Sequence, residues 1–270
     1  GKFKAFTEDK TISYFKDMGV THLQLMPSYD FASIDESDSL KEQYNWGYDP
    51  YNYNVPEGSY STDPRWAKSP MQSINYLSCH DNYTLWDRFI ISNSHESEEL
   101  RIRMNKLAAS ILFTAQGIPF FLHGEEFART KISEADGAPI ENSYCSPLSV
   151  NAIDYDRAEQ FAELRAYYKG LIALRRAHKA FYLDTVDEIK KSVHFMDAMP
   201  DGVVAYTINT DTEKVFVAYN AGKNKITIKL SDGLWEVLAD EAAAGDKALY
   251  TIKDQAIIPA VSCLVAVCKC

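Results

Sequence analysis

Apolar residues in the first two thirds of this 270-residue chain recur at three- to four-residue spacing or in short unbroken runs, whereas beyond about residue 192 they alternate. Glu8 to Met18 places Ile12, Phe15 and Met18 on one face of a predicted helix that Gly19 ends. Val20 to Met26 then reads as a buried strand, and Gln72 to Ser78 as a second one that delivers Cys79, His80, Asp81 and Asn82 at its end. A helix from about Ser97 to Gln116 turns Leu100, Met104, Leu107, Ile111 and Leu112 inward and stops at Gly117. Ile118 to His123 is a third predicted strand, followed by Gly124, Glu125 and Glu126. Asp156 to His178 is predicted as one amphipathic helix that buries Phe161, Leu164, Tyr168, Leu171 and Leu174. Helix, glycine, apolar strand and polar loop in succession are the punctuation of an α/β unit.

The alternating runs Val203 to Ile208, Lys214 to Asn220, Lys225 to Leu230 and Ser262 to Cys270 predict an antiparallel β region. A boundary near residue 182 therefore divides the chain into 1–182 and 183–270, and the second part has enough strands to fold alone. Between the first two strands runs a long loop, Ser28 to Asp63, rich in Tyr, Asp, Asn and Pro; its length and aromatics point to a functional segment. No repeat or low-complexity tract is present.

Composition narrows the ligand. Asp plus Glu exceed Lys plus Arg by 38 to 28, and a net charge of -10 argues against nucleic acid or an anionic membrane surface as partner. A neutral or cationic ligand fits better, and 17 Tyr, 13 Phe and 4 Trp offer flat amphipathic faces suited to sugars. Five scattered Cys make no disulfide framework in a chain this long, and the odd number leaves at least one free thiol. On an extended strand Cys263 faces away from Cys268 and Cys270, so the tail is not expected to bind a metal. No apolar run approaches the roughly 20 residues that span a bilayer. Gly1 is not an initiator Met, which leads to the expectation of a longer parent protein and leaves the compartment open.

Tyr44-Asn45-Trp46-Gly47-Tyr48-Asp49-Pro50, with Tyr51-Asn52-Tyr53 and Val55-Pro56-Glu57-Gly58-Ser59-Tyr60 behind it, resembles the signature of type I pullulanases, the α-glucan debranching enzymes of the α-amylase superfamily. Asn75-Tyr76-Leu77-Ser78-Cys79-His80-Asp81-Asn82 is similar to the superfamily motif at the end of the seventh barrel strand. Leu25-Met26-Pro27, His123-Gly124-Glu125-Glu126-Phe127 and Asn151-Ala152-Ile153-Asp154 add to the likeness. The resemblance implies a (β/α)8 barrel followed by a β-sandwich, retaining hydrolysis of α-1,6 branch points in pullulan, glycogen or starch, and an α-glucan partner. By the same resemblance Asp81 corresponds to the third carboxylate, which orients sugar hydroxyls, with His80 beside it. Tyr48 would stack on glucose and Asp49 would hydrogen-bond it. Read without the resemblance, His80-Asp81 caps a strand-to-helix turn and the aromatic loop is a core cluster.

One departure from the family pattern governs the functional expectation. The chain passes from Ser61-Thr62-Asp63-Pro64 straight to Arg65-Trp66-Ala67-Lys68, where the family has strands three to six with the nucleophile and the general acid. No Arg-x-Asp ends an apolar strand, so neither residue is assigned, and three strands cannot close an eight-stranded barrel. The expected fold is α/β plus all-β: an incomplete (β/α)8 barrel followed by a C-terminal antiparallel β-sandwich. Glu125 and Glu126 invite reading as an acid and nucleophile pair, but neighbours on an extended chain face opposite ways and cannot flank one bond. No cofactor is expected; Asp35, Glu36 and Asp38 offer calcium hard oxygens without a coordination spacing. The expected function is a hydrolase by descent without its own turnover, the alternatives being a glucan-binding pseudoenzyme or a truncated product.

Overall fold

Helix ends in the computed structural model follow local chemistry. The structure describes residues 8–24 and 69–269; Tyr48, Asp49, the loop around them, the acidic residues 35–38 and the Pro64–Arg65 junction lie outside the described residues. Helix α1 (Asp9–Met18) ends at Gly19, whose φ of 78° is the left-handed state that a residue without Cβ adopts cheaply. Thr84 opens α2 (Leu85–Ser92) by accepting from the Asp87 amide, and Ser97 opens α3 (Glu98–Thr114) by accepting from the Leu100 amide.

The expected strands shrink. Val20 to Gln24 forms no strand, and residues 21–24 are exposed. The second and third predicted strands reduce to β1 (Ile74–Asn75) and β2 (Ile118–Pro119), which pair in parallel. A parallel strand is normally flanked and covered on both faces. Among the described residues β1 and β2 pair only with each other, and Ile74 and Tyr76 are each 58% exposed.

The helical expectations hold better, with two corrections. Ile111 is 43% exposed, because α3 lies between the helix Ala162–Ala177 and the C-terminal sheet and buries Leu107, Ala109, Leu112 and Phe113 instead. After the short helix α4 (Leu148–Asn151), the single helix expected over 156–178 is α5 (Asp156–Gln160) and α6 (Ala162–Ala177), broken at Phe161. That ring packs edge-on against Trp86 with centroids 5.3 Å apart and lies beneath the Arg157 guanidinium. All five residues expected inward, from Phe161 to Leu174, are buried. The chain then enters α7 (Val186–Ser192) through a Thr185–Glu188 capping box.

The β region contains β3 (Val193–Phe195), β4 (Val203–Asn209), β5 (Glu213–Asn220), β6 (Ile226–Lys229), β7 (Trp235–Ala239), β8 (Tyr250–Ile252), β9 (Gln255–Ile258) and β10 (Ser262–Lys269). Every pairing within it is antiparallel, with six strands in the order β3-β4-β5-β10-β7-β8 and β6 paired to β9. Strand alternation sends the two sets of side chains to different cores. Phe216, Ala218, Leu264, Ala266 and Trp235 pack toward Ile228 of β6 and Ile258 of β9, making a lopsided sandwich. Val215, Val217, Tyr219, Cys263, Val265 and Val267 join one cluster with Leu112, Phe113, Leu164, Tyr168 and Leu171 of the helices. This larger core draws residues from both sides of position 182. A bulge between Val265 and Ala266 lets Leu238 and Ala239 both face the helices. It also breaks the alternation that would have announced β7.

Two residues of α6 fix its position. An added Cβ on Gly170 would sit 1.9 Å from the Ala244 carbonyl oxygen, so α6 can approach that loop only at a glycine. Arg175 donates to the carbonyls of Phe113, Ala115 and Gly117 at 2.6–2.9 Å, satisfying the open end of α3 and fixing the turn into β2.

Candidate functional site

The segment after β1 turns sharply and presents its polar residues together. Asn82 is left-handed (φ 60°), a conformation that Asn tolerates better than most residues. The turn leaves His80 partly exposed and Asp81 more so, with side chains 30% and 59% accessible, and sets His80 Nε2 3.4 Å from Asp81 Oδ2. Cys79 lies beside them, and the Cys79 Sγ, the His80 ring nitrogen and the Asp81 carboxylate are all within 4.8 Å of one another.

Buried side chains hold this turn from beneath. The Lys131 Nζ donates to the His80 carbonyl at 2.8 Å, while the Lys131 amide donates to Asp87 Oδ2 at 2.8 Å and the Thr130 hydroxyl donates to Asp87 Oδ1. Asp87 is fully buried on the first turn of α2; burial pushes its pKa up while these donors pull it down. Burial also pushes Lys131 down to about 8. One rung earlier, Ser78 donates to Glu125 Oε2 at 2.5 Å. Thr84, Asp87, Lys131, Ser78 and Glu125 thus tie the turn to the helices.

Glu125 and Glu126 lie in a single turn of 3-10 helix, not on the extended strand that the sequence suggested, and they still point apart. Glu125 faces Ser78 and Tyr168; Glu126 accepts from the Tyr14 hydroxyl and the Gly124 amide. At 3% and 1% exposure, both are closed off from solvent. Burial, opposed by the Ser78 and Tyr168 hydrogen bonds and reinforced by Glu126, pushes Glu125 up to about 8. The Tyr168 hydroxyl is 2.7 Å from Asn105 Oδ1 and 3.3 Å from Glu125 Oε1. One phenolic proton serves one acceptor, so a protonated Glu125 completes that pair. His123, whose pKa burial and Arg129 lower to about 4, sits among Tyr14, Phe15, Phe127 and Tyr155 as part of an aromatic cluster.

The structure therefore brings His80 and Asp81 together, and Tyr48 and Asp49 lie outside the described residues. A depression of about 200 Å³ lined by Arg129, Asp154 and Arg157 does not include either His80 or Asp81. Sequence reasoning placed Cys79 beside both without assigning it a role, and it missed Lys131 as their anchor. The Thr84-x-x-Asp87 spacing was a readable helix start, but Lys131 stands in a polar stretch with no periodicity to mark it. Among the described residues no helix is long and apolar enough to cross a membrane.

Comparison with known proteins gives a consistent result. Residues 189–243 match the family model described as pullulanase, all-beta domain. The chain is 33% identical over 177 residues to the pullulanase of Bacillus subtilis strain 168, covering 63% of this chain and 24% of that protein. Among solved structures, the pullulanase from Bacillus acidopullulyticus superposes with a TM-score of 0.69 at 34% identity, covering 79% of this chain and 25% of that one. The pullulanase from Paenibacillus barengoltzii, solved with maltohexaose and α-cyclodextrin, gives 0.65 at 36% identity over 79% of this chain and 33% of that one. The chain spans about a quarter or less of the length of the first curated relatives it matches.

Proposed function

From a chain that carries a pullulanase all-beta domain and is pullulanase-like over part of its length, we propose a glucan-holding role without cleavage. In this reading the chain descends from a debranching glycoside hydrolase and keeps the sugar-orienting side of its site. Asp81 contacts sugar hydroxyls and His80 donates beside it, both presented by the Asn82 turn over the Lys131 and Asp87 anchor. Tyr48 stacks on a glucose ring and Asp49 hydrogen-bonds it. The shortened barrel, its division from the β region near residue 182, and the missing strands belong to the same proposal.

A single observation carries the negative half. Retaining hydrolysis takes two carboxyl groups roughly 5 to 5.5 Å apart on either side of the glycosidic bond. The sequence between Pro64 and Arg65 skips the segment in which the family holds both, and Glu125 and Glu126 are buried against Ser78, Tyr168 and Tyr14 beneath the turn that exposes His80 and Asp81. Losing both groups removes most of a rate enhancement that in enzymes is at least about a millionfold.

Calorimetry with maltohexaose and a reducing-sugar assay on pullulan test the two halves. Binding that Asp81→Ala and Tyr48→Ala each weaken, with no release of reducing ends, is the expected outcome. Turnover abolished by Asp81→Ala would instead establish debranching by this chain, the reading that its pullulanase relatives favour.

A further inference from the structure

Three adjacent residues normally diverge, because successive side chains on an extended strand point to opposite faces. At 79–81 the turn closed by left-handed Asn82 makes them converge: a thiol, an imidazole and a carboxylate, with ligand atoms all within 4.8 Å of one another and His80 Nε2 3.4 Å from Asp81 Oδ2. We propose that Cys79, His80 and Asp81 form a seat for a borderline-soft divalent cation of the zinc type, on the same turn that would hold glucan.

Ligand chemistry selects the metal class. Zinc is bound by Cys sulfur at about 2.3 Å, His nitrogen at about 2.0–2.1 Å and carboxylate oxygen at about 2.0–2.2 Å, so donor atoms around one tetrahedral ion stand roughly 3.3–3.8 Å apart. The His80–Asp81 separation already falls in that range, and the partly exposed side chains close the remainder by rotation about χ1 and χ2. A thiolate and an imidazole disfavour calcium and magnesium, which take oxygen ligands. Three protein donors leave a fourth position, and Asp81, with its side chain 59% accessible, puts it on the solvent side of the turn.

The backbone beneath is already fixed. Lys131 Nζ holds the His80 carbonyl at 2.8 Å, so the turn need not fold around the ion. Lys131 is also the counterweight: its ammonium feels both Asp81 and Cys79, and its charge opposes a bound cation, although burial pushes its pKa down to about 8. The other described thiols do not compete. Cys145 has no such partners, Cys263 is buried between Tyr167 and Ser110, and Cys268 packs against the opposite core.

The overlap with the sugar-orienting side chains rests on the proposed glucan role; the cation seat does not. Titrating the full chain with cadmium, followed by the ultraviolet charge-transfer absorption of a cadmium–thiolate bond, reads the seat directly. One equivalent should develop the band. Cys79→Ser should abolish it, Asp81→Asn should weaken binding at least tenfold, and Cys268→Ser should leave it unchanged. Absence of the band at one equivalent, its survival in Cys79→Ser, or its loss in Cys268→Ser overturns the proposal. Zinc should then compete cadmium off and lower maltohexaose affinity at least tenfold. A Cys79-dependent band in a chain that never binds maltohexaose keeps the seat and overturns the glucan role instead.

Discussion

The six-stranded sheet and the β1–β2 pair of this protein solve the same problem differently. Strands β5 and β10 pair along eight residues and are covered on one face by β6 and β9 and on the other by α3 and α6. Strands β1 and β2 pair over two residues and leave Ile74 and Tyr76 half exposed. The first is held by apolar area; the second is held by specific hydrogen bonds that also present His80 and Asp81. A surface that must meet a ligand cannot be buried, so its geometry has to be fixed by anchors such as Lys131 and Glu125.

The largest test of that contrast removes one covering layer. Expressing residues 183–270 alone should uncover Val215, Val217, Val265 and Val267, and the fragment should aggregate or unfold where the full chain stays monomeric by light scattering. A folded, monomeric fragment would show that the helix-facing core contributes little. Next, Trp235→Ala, at 1% exposure between the sheets, should cost about 3–5 kcal/mol in denaturant unfolding.

The site side should respond to pH. Glu125 moves from an ordinary value of 4.5 to about 8 when folded. Its contribution is therefore complete below pH 4.5 and is lost as pH rises toward 8, on the order of a few kcal/mol. His123 works the other way, because its value falls from 6.5 to about 4, so its stabilisation is lost as pH drops through that window. Between pH 6.5 and 8 the Glu125 effect stands clear of His123, and thermal stability should fall. Glu125→Gln should flatten that slope; an unchanged slope would assign it to another group. Lys131→Met, which frees the His80 carbonyl, should cost about 1–3 kcal/mol and weaken any maltohexaose binding more than it lowers the melting temperature would suggest. Tyr76→Ser, at an exposed edge, should change stability by less than about 0.5 kcal/mol.

Much of this was legible in sequence where the signal is local. Gly19 stops α1, Ser97 starts α3, and the alternation in 203–208, 214–220 and 262–269 marks β4, β5 and β10. The motif around His80 and Asp81 was found for the same reason, since its residues are contiguous. Strand length was not legible, because an apolar run becomes a strand only where a partner lies alongside; Val20 to Gln24 has the composition without the partner among the described residues. Nor was the break at Phe161, where helical spacing continues but the ring is claimed by Trp86 and Arg157.

The sequence by itself determined the punctuation, the antiparallel character of the C-terminal region and the residues that present chemistry at 79–82, because caps, turns and alternation act within a few bonds. Only the tertiary structure decided that Lys131, 51 positions away, carries the His80 carbonyl, that Glu125 is buried against Ser78 and Tyr168, and that helices and sheet share one core across residue 182. Those outcomes depend on which surfaces meet and exclude water from between them, a property of the folded whole that no run of neighbouring residues encodes.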